Sequence, residues 1–283
     1  MSTKIKAIAK KLVQMWPIIK RSAKYSFAFV AFINTIAGVI GYTIRDINEQ
    51  YSWIQCILIL LGAFSIITII LCFVLFNRNK RTYNTYINGC NVEIKVGDLF
   101  KENGWKVIGF NEFFDTEVGN GIIEETSLNG IMITQHVSNL SDLQAKIEQA
   151  KDDQSPLKPI EKRGKTAYPL GRVIAFDSFL MIALSHFDEQ NVAYIELEEY
   201  EQLLMRFWKE LRRVYGGKHI AIPLLGTGVM DIHGMKEKDY TALLHCILCS
   251  LNKSFFQPKN GLSIALTDKA MNKIDMNAIR EEF

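Results

Sequence analysis

Hydrophobic and polar positions divide the chain into two unlike regions. Tyr25–Ile44 is a run of 20 residues without a charge, and Trp53–Phe76 is another of 24. Each is long enough to cross a hydrocarbon core about 30 Å thick, so the pattern predicts a two-span transmembrane hairpin within residues 25–81. Upstream, Ile5, Ile8, Leu12, Met15, Trp16 and Ile19 recur at helical spacing with lysines between them. That spacing predicts a basic amphipathic helix in residues 1–24, lying on an anionic membrane surface. A cleavable signal peptide does not fit, because the first run is too long and a second span follows at once.

From residue 82 onward the runs shorten and alternate. Asn91–Val96, Lys106–Phe110, Gly130–Gln135, Tyr168–Phe176, Phe179–Phe187, His219–Leu225 and Leu262–Leu266 read as strands. Helices are predicted at Ser141–Lys151 with a serine cap, at Glu196–Val214, at Asp239–Leu251 and after Asp275. Leu197, Tyr200, Leu204, Phe207 and Leu211 mark the apolar stripe of the second. Gln154–Thr166, with two prolines and mixed charge, reads as a loop or insertion. Strands alternating with helices predict an α/β domain with a mixed sheet over residues 82–283.

Charge sets orientation and excludes one class of partner. Seven Lys and Arg residues precede the first span, and Arg78, Lys80 and Arg81 follow the second. The connecting loop Arg45–Ser52 holds one basic and two acidic residues. Positive charge stays inside, so the N terminus and the α/β domain are expected in the cytoplasm, on a multi-pass protein of the plasma membrane. From Thr82 to the end there are 22 Lys and Arg against 28 Asp and Glu. An acidic domain without a basic stripe is a poor nucleic-acid binder. Two spans rarely enclose a pore, so a homo-oligomer is expected on activation, with the small-residue pair Ala37 and Gly41 as a candidate helix contact and Asn34 read as packing within the hairpin itself. The five cysteines, with one CxxC at Cys246 and Cys249 in an apolar run, give no four-ligand zinc pattern. No metal or cofactor is expected, and the five scattered histidines form no triad or HExxH spacing.

The strongest local signal is Pro223-Leu-Leu-Gly-Thr-Gly-Val-Met230, an apolar strand running into Gly226-Thr227-Gly228. Glycines there let backbone amides approach an anion. Upstream, Val96-Gly-Asp-Leu99 and Asn111-Glu-Phe-Phe-Asp-Thr116 end two strands, and Gly119-Asn120-Gly121 follows. Polar groups past strand carboxyl ends mark ligand sites in open α/β sheets. Phe187, Asp188, Glu189 and Asn191 follow another strand end, and Asp231 and His233 follow the glycine loop.

Together these segments resemble a macro domain, the α/β/α fold that binds ADP-ribose. The resemblance implies an adenine contact at Asp98 and Leu99, and a diphosphate and distal ribose held by Gly119, Asn120, Gly121, Gly226, Thr227, Gly228 and Val229. It includes the Asn-led turn of Asn111, Glu112 and Asp115 at the same ligand. Phe187 and Asn191, from their place past a strand end, are expected at its distal part, with a solvated turn as the alternative. The usual Asn-Ala-Ala-Asn segment is replaced by NEFFDT at 111–116, so the resemblance implies binding without a catalytic residue. NEFFDT, SHFDEQNVAYIELEEY at 185–200 and RVYGGKHIAIPLLGTG at 213–228, behind two spans, are similar to type II Thoeris antiphage effectors. That likeness implies an ADP-ribose-derived signal, histidine-ADP-ribose, made by a partner TIR-domain enzyme. Oligomerisation, disruption of the lipid bilayer and abortive infection would follow. The alternative is a membrane-tethered hydrolase of ADP-ribosylated substrates.

Overall fold

A computed structural model describes residues 16, 19–33, 35, 53–78 and 82–283, apart from 236. The chain forms two compact units, Met1–Lys80 and Arg81–Phe283.

In the first unit, residues 19–33 are helical and Trp53–Arg78 forms a 26-residue helix, α1. Two serines and a threonine face each other across them, while Thr35 and Ser65 are exposed and bond within their own helices. Ser22 and Ser26 are fully buried, and the Thr68 hydroxyl donates to Ser26 Oγ at 2.9 Å. Phe27, Phe32, Leu58, Ile66, Ile69 and Phe73 are instead exposed. Among the described residues no helix is long and apolar enough to cross a membrane, so the spanning assignment still rests on the sequence. Ala37, Gly41 and Asn34, with Ile5 to Met15 of the expected amphipathic helix, lie outside the described residues.

The second unit is built on a nine-stranded mixed sheet. Its strands are β1 Thr82–Ile87, β2 Cys90–Val96, β3 Trp105–Asn111, β6 Val173–Phe176, β7 Phe179–Phe187, β8 Ala193–Glu196, β9 Ile220–Pro223, β10 Asp231–His233 and β11 Leu262–Leu266. A separate hairpin pairs β4 Ile160–Lys162 with β5 Lys165–Ala167. The order in the main sheet is β1-β2-β11-β9-β3-β7-β8-β10, with β6 also on β7. β2, β11, β9, β3 and β7 run parallel to one another. Parallel strands covered on both faces read as continuous apolar runs, and every residue of β11 is buried.

The helices are α2 Leu128–Ile131, α3 Leu140–Gln149, α4 Leu197–Val214, α5 Tyr240–Ser254, α6 Asp268–Met271 and α7 Met276–Glu282. α4 buries Tyr200, Leu204, Phe207 and Leu211 of the expected stripe, with Leu203 and Trp208 beside them, and leaves Leu197 partly buried. Asp239 caps α5 by accepting from Thr241 N and Ala242 N, and Asp275 caps α7.

Several expectations need correction. Gly130–Gln135 is not a strand: α2 runs into a π-helical turn, Met132–His136, closed by Val137 N donating to Met132 O at 3.0 Å. A short apolar run carries no period, and the deciding contact is Ser127 Oγ accepting from Gly130 N at 3.2 Å. The strand expected at Tyr168–Phe176 begins only at Val173, because Pro169 O accepts from Arg172 N in a turn through Gly171. α3 is capped by Asn139, whose side chain accepts from Ser141 N, and not by Ser141. The expected loop at Gln154–Thr166 contains β4 and part of β5, joined by Arg163 and Gly164. β1, β8 and β10 were not legible as strands.

Arg172 is fully buried among acids. Its Nη1 donates to Glu210 Oε2 at 2.7 Å and its Nη2 lies 2.6 Å from Asp153 Oδ2. Glu210 is 2% exposed and also receives Ser155 Oγ and Arg213 Nη2. Such a network ties α4 to the turn before β6 and needs both signs of charge to persist.

Candidate functional site

The five parallel strands end on one edge, and a cavity of about 730 Å3 opens there. Gly97–Phe100 follows β2, Pro223–Met230 continues β9, Phe110 and Asn111 end β3, Ser185 and Phe187 end β7, Ala265 and Leu266 end β11, and Thr267, Lys269 and Ala270 follow it. The opposite wall comes from Ile122–Glu124 and Thr126–Asn129. Open α/β sheets bind ligands at this edge because the connections diverge there and leave backbone amides free.

Of the expected residues, Asp98, Leu99, Asn111, Phe187, Gly226, Thr227, Gly228 and Val229 line the cavity. Asp98 Oδ1 accepts from Phe100 N at 3.0 Å, capping a 3-10 turn at Leu99–Lys101. The side chain is nevertheless about half exposed, at 48%. Asn111 is fixed by its own loop. Its Oδ1 accepts from Phe113 N and Asp115 N, and its Nδ2 donates to Asp115 Oδ2 at 3.0 Å. In the glycine loop, Thr227 Oγ1 donates to Leu224 O at 2.8 Å, and Lys238 Nζ donates to Gly228 O.

Gly226 holds φ +89, where a Cβ would sit 3.2 Å from Ile232 Cδ1. Only glycine adopts that conformation cheaply. Gly228 has no positive φ, and a methyl group at its Cα would meet nothing within 4 Å. The two glycines therefore serve different ends: Gly226 shapes the turn, and Gly228 leaves room beside the cavity.

Glu112, Asp115, Gly119, Asn120, Gly121 and Asn191 are not among the cavity-lining residues. Gly119-Asn120-Gly121 forms a left-handed turn, with Asn120 Nδ2 donating to Glu117 Oε1, and the residues just after it reach the cavity. Asn191 belongs to the β7–β8 turn, where Asp188 Oδ1 accepts from Gln190 N and Val192 N. His233 is paired with Glu196 and stacked on Tyr194.

Glu112 is 3% exposed and fully committed. Its carboxylate receives Lys162 Nζ at 2.8 Å, His186 Nδ1 at 2.9 Å and Phe187 N at 3.2 Å. Burial alone would raise its pKa, but the His186 and Lys162 hydrogen bonds, the His186 charge and the Phe187 amide together hold it below the ordinary carboxylate value. His186 shifts upward because of its hydrogen bond to Glu112, against burial and with help from Glu199 at 3.0 Å.

The stretch Ile122–Asn129 and the segment Thr267–Ala270 were missed as cavity walls. Neither carries a glycine pattern at a strand end, so sequence offered no signal beyond the polar Thr126-Ser127. Lys269 is a cation on the lining. Among the described residues one group has metal-ligand chemistry: His245, Cys249 and Glu282, with ligand atoms within 4.8 Å of one another. His245 is already paired with Glu282 at 2.8 Å, and burial pushes the Cys249 thiol pKa up.

A cavity with a glycine loop on the carboxyl edge of a mixed sheet defines a macro-type ligand-binding domain. The sequence matches the family described as Thoeris protein ThsA, Macro domain, over residues 92–266. It is 36% identical over 239 residues to Thoeris protein ThsA of Bacillus amyloliquefaciens (strain Y2), covering 80% of this chain and 78% of that one. Among solved structures, a mutant Oceanobacillus iheyensis macrodomain with ADPR aligns with a TM-score of 0.45 and 19% identity, over 71% of this chain and 98% of that chain. The same organism's macrodomain with ADP aligns at 0.44 and 18%, over 71% and 98%. The chain belongs to the Thoeris ThsA family, and its second unit is the macro domain of that antiphage defence protein.

Proposed function

We propose that the cavity is the receptor for an ADP-ribose-derived signal, histidine-ADP-ribose, made by a partner TIR-domain enzyme, and that the first unit turns binding into membrane damage. The observation that carries the reading is the placement of Asp98 and the Gly226–Val229 loop on one cavity of about 730 Å3. An exposed carboxylate beside Phe100 suits an adenine amino group, and the glycine loop suits a diphosphate. Both are features of this chain's own residues.

The protein acts as a receptor and not as a hydrolase. The acidic groups of NEFFDT support this, because Glu112 and Asp115 are held in ion pairs with Lys162 and Lys165 and do not line the cavity.

Membrane placement is supported by the uncharged 24-residue run Trp53–Phe76, which is about 36 Å long as a helix. The surface of the first unit agrees, with Ser22 and Ser26 buried and Phe27, Phe29, Phe32 and Phe73 exposed. Two spans enclose no conducting path, so damage requires several chains, and the ligand must favour their assembled state. The reading places both termini and the macro domain in the cytoplasm. Full-length protein in dye-loaded vesicles tests it. Histidine-ADP-ribose should drive oligomers and release the dye. Turnover of an ADP-ribosylated substrate, without release, would replace the receptor with an enzyme.

A further inference from the structure

The β4–β5 hairpin carries a compact basic tip, Lys162, Arg163 and Lys165, and none of the three lines the cavity. Each instead holds a segment that does, or its immediate neighbour. Lys162 Nζ lies 2.8 Å from Glu112 Oε1, next to Asn111. Arg163 Nη1 donates to Phe187 O at 3.2 Å and to Asp188 O. Lys165 Nζ lies 2.9 Å from Asp115 Oδ1, and Asp115 Oδ2 in turn receives Asn111 Nδ2. Beneath these contacts Phe113, Ala167 and Phe187 form a small apolar cluster, separate from the main core. Lys165 sits 5.5 Å from the Phe113 ring centroid.

We infer that this hairpin is a strap: Lys162, Arg163 and Lys165 are positioning residues that fix the Asn111 and Phe187 walls of the cavity without touching its ligand. The inference rests on the receptor reading for its effect on binding, and on geometry alone for its effect on the wall. The physical basis is the small satellite core. The ladder holds the ends of β3 and β7 together, with Asn111 opposite Ser185 and Glu112 N donating to Ser185 O at 2.8 Å. Just past them, three buried residues supply little apolar burial, so Phe113–Asp115 and Phe187–Asp188 depend on polar contacts for their placement. Exposed ion pairs contribute little by themselves. Here the acceptors Glu112 and Asp115 are buried or nearly so, at 4% and 16% exposure, which shields the pairs from water. Positioning also matters more than contact strength in a preorganised site, because a loosened wall must be reordered each time ligand binds.

The test uses full-length protein in detergent, with ADP-ribose as the probe. Lys162→Met together with Lys165→Met removes both charges from partly exposed positions, whereas Lys162→Arg with Lys165→Arg keeps them. The methionine pair should weaken ADP-ribose binding about tenfold and speed hydrogen exchange at the Phe113, Asp115 and Phe187 amides. The arginine pair should restore both. Wild-type affinity and exchange in the methionine pair would overturn the strap. Faster exchange at unchanged affinity would overturn it as well, by making the contacts purely structural. If the wild-type protein binds neither ADP-ribose nor histidine-ADP-ribose, the receptor reading falls, and exchange alone then decides whether the hairpin holds the wall.

Discussion

Asp98 Oδ1 accepts the Phe100 amide at 3.0 Å, so the carboxylate expected to meet adenine also holds the turn that shapes its own wall. The two roles separate by substitution. Asp98→Ala loses both, weakening ADP-ribose binding about tenfold to a hundredfold and costing about 0.5–2 kcal/mol of stability through the missing cap. Asp98→Asn keeps a capping oxygen and should lose mainly affinity. Calorimetry and urea unfolding on both variants separate the effects, and equal affinity in all three proteins would remove Asp98 from the site.

The glycine loop makes a paired prediction. Gly226→Ala forces a side chain into φ +89 and against Ile232, so the fold should lose about 1 kcal/mol or more. Gly228→Val meets no such strain from the protein itself, where a Cβ has nothing within 4 Å. Its effect should appear in ligand affinity, with the thermal midpoint nearly unchanged. A large drop in stability for the valine variant alone would reverse these assignments.

The Glu112–His186 pair sets a pH window. His186 has a folded pKa raised above 6.5, chiefly by Glu112, so its stabilisation is full below 6.5 and disappears as pH climbs through the folded value. Glu112 is depressed below 4.5, so its contribution is present above 4.5 and disappears as pH falls through its folded value. Stability should therefore peak between those limits, and His186→Gln should flatten the alkaline side. An unchanged alkaline slope in that variant would show that the pair does not control it.

Glu210→Ala removes the buried carboxylate 2.7 Å from the enclosed Arg172 and leaves it Asp153, 30% exposed, at 2.6 Å. Loss of one partner of a lone buried pair costs about 3–5 kcal/mol, so the cost here should fall at or below the lower end of that range. Replacing both, as Arg172→Met with Glu210→Leu, should recover most of that loss. Urea unfolding midpoints of the single and double variants provide the comparison.

Sequence pattern found the elements whose period is long or whose apolar run is nearly continuous. α4 declared itself through eighteen residues of amphipathic spacing, and β7, β9 and β11 through mostly apolar stretches broken only by Ser185, His186 and Ser263. Short polar strands such as β1, TYNTYI, and three-residue β10 gave no comparable signal, because their partners define them. At the site, glycine and aspartate at strand ends pointed to the cavity edge. The roles of Glu112 and Asp115 were not legible, since each is set by a lysine 50 residues away in sequence. The wall at Ile122–Asn129 escaped for the same reason: its place comes from packing across the sheet edge.

Titration calorimetry of histidine-ADP-ribose into the full-length protein in detergent is the most direct measurement. The receptor reading predicts saturable binding at one site per chain, and its loss or marked weakening in Asp98→Ala. No saturable binding to the wild-type protein, or equal binding by the folded Asp98→Ala variant, would contradict it.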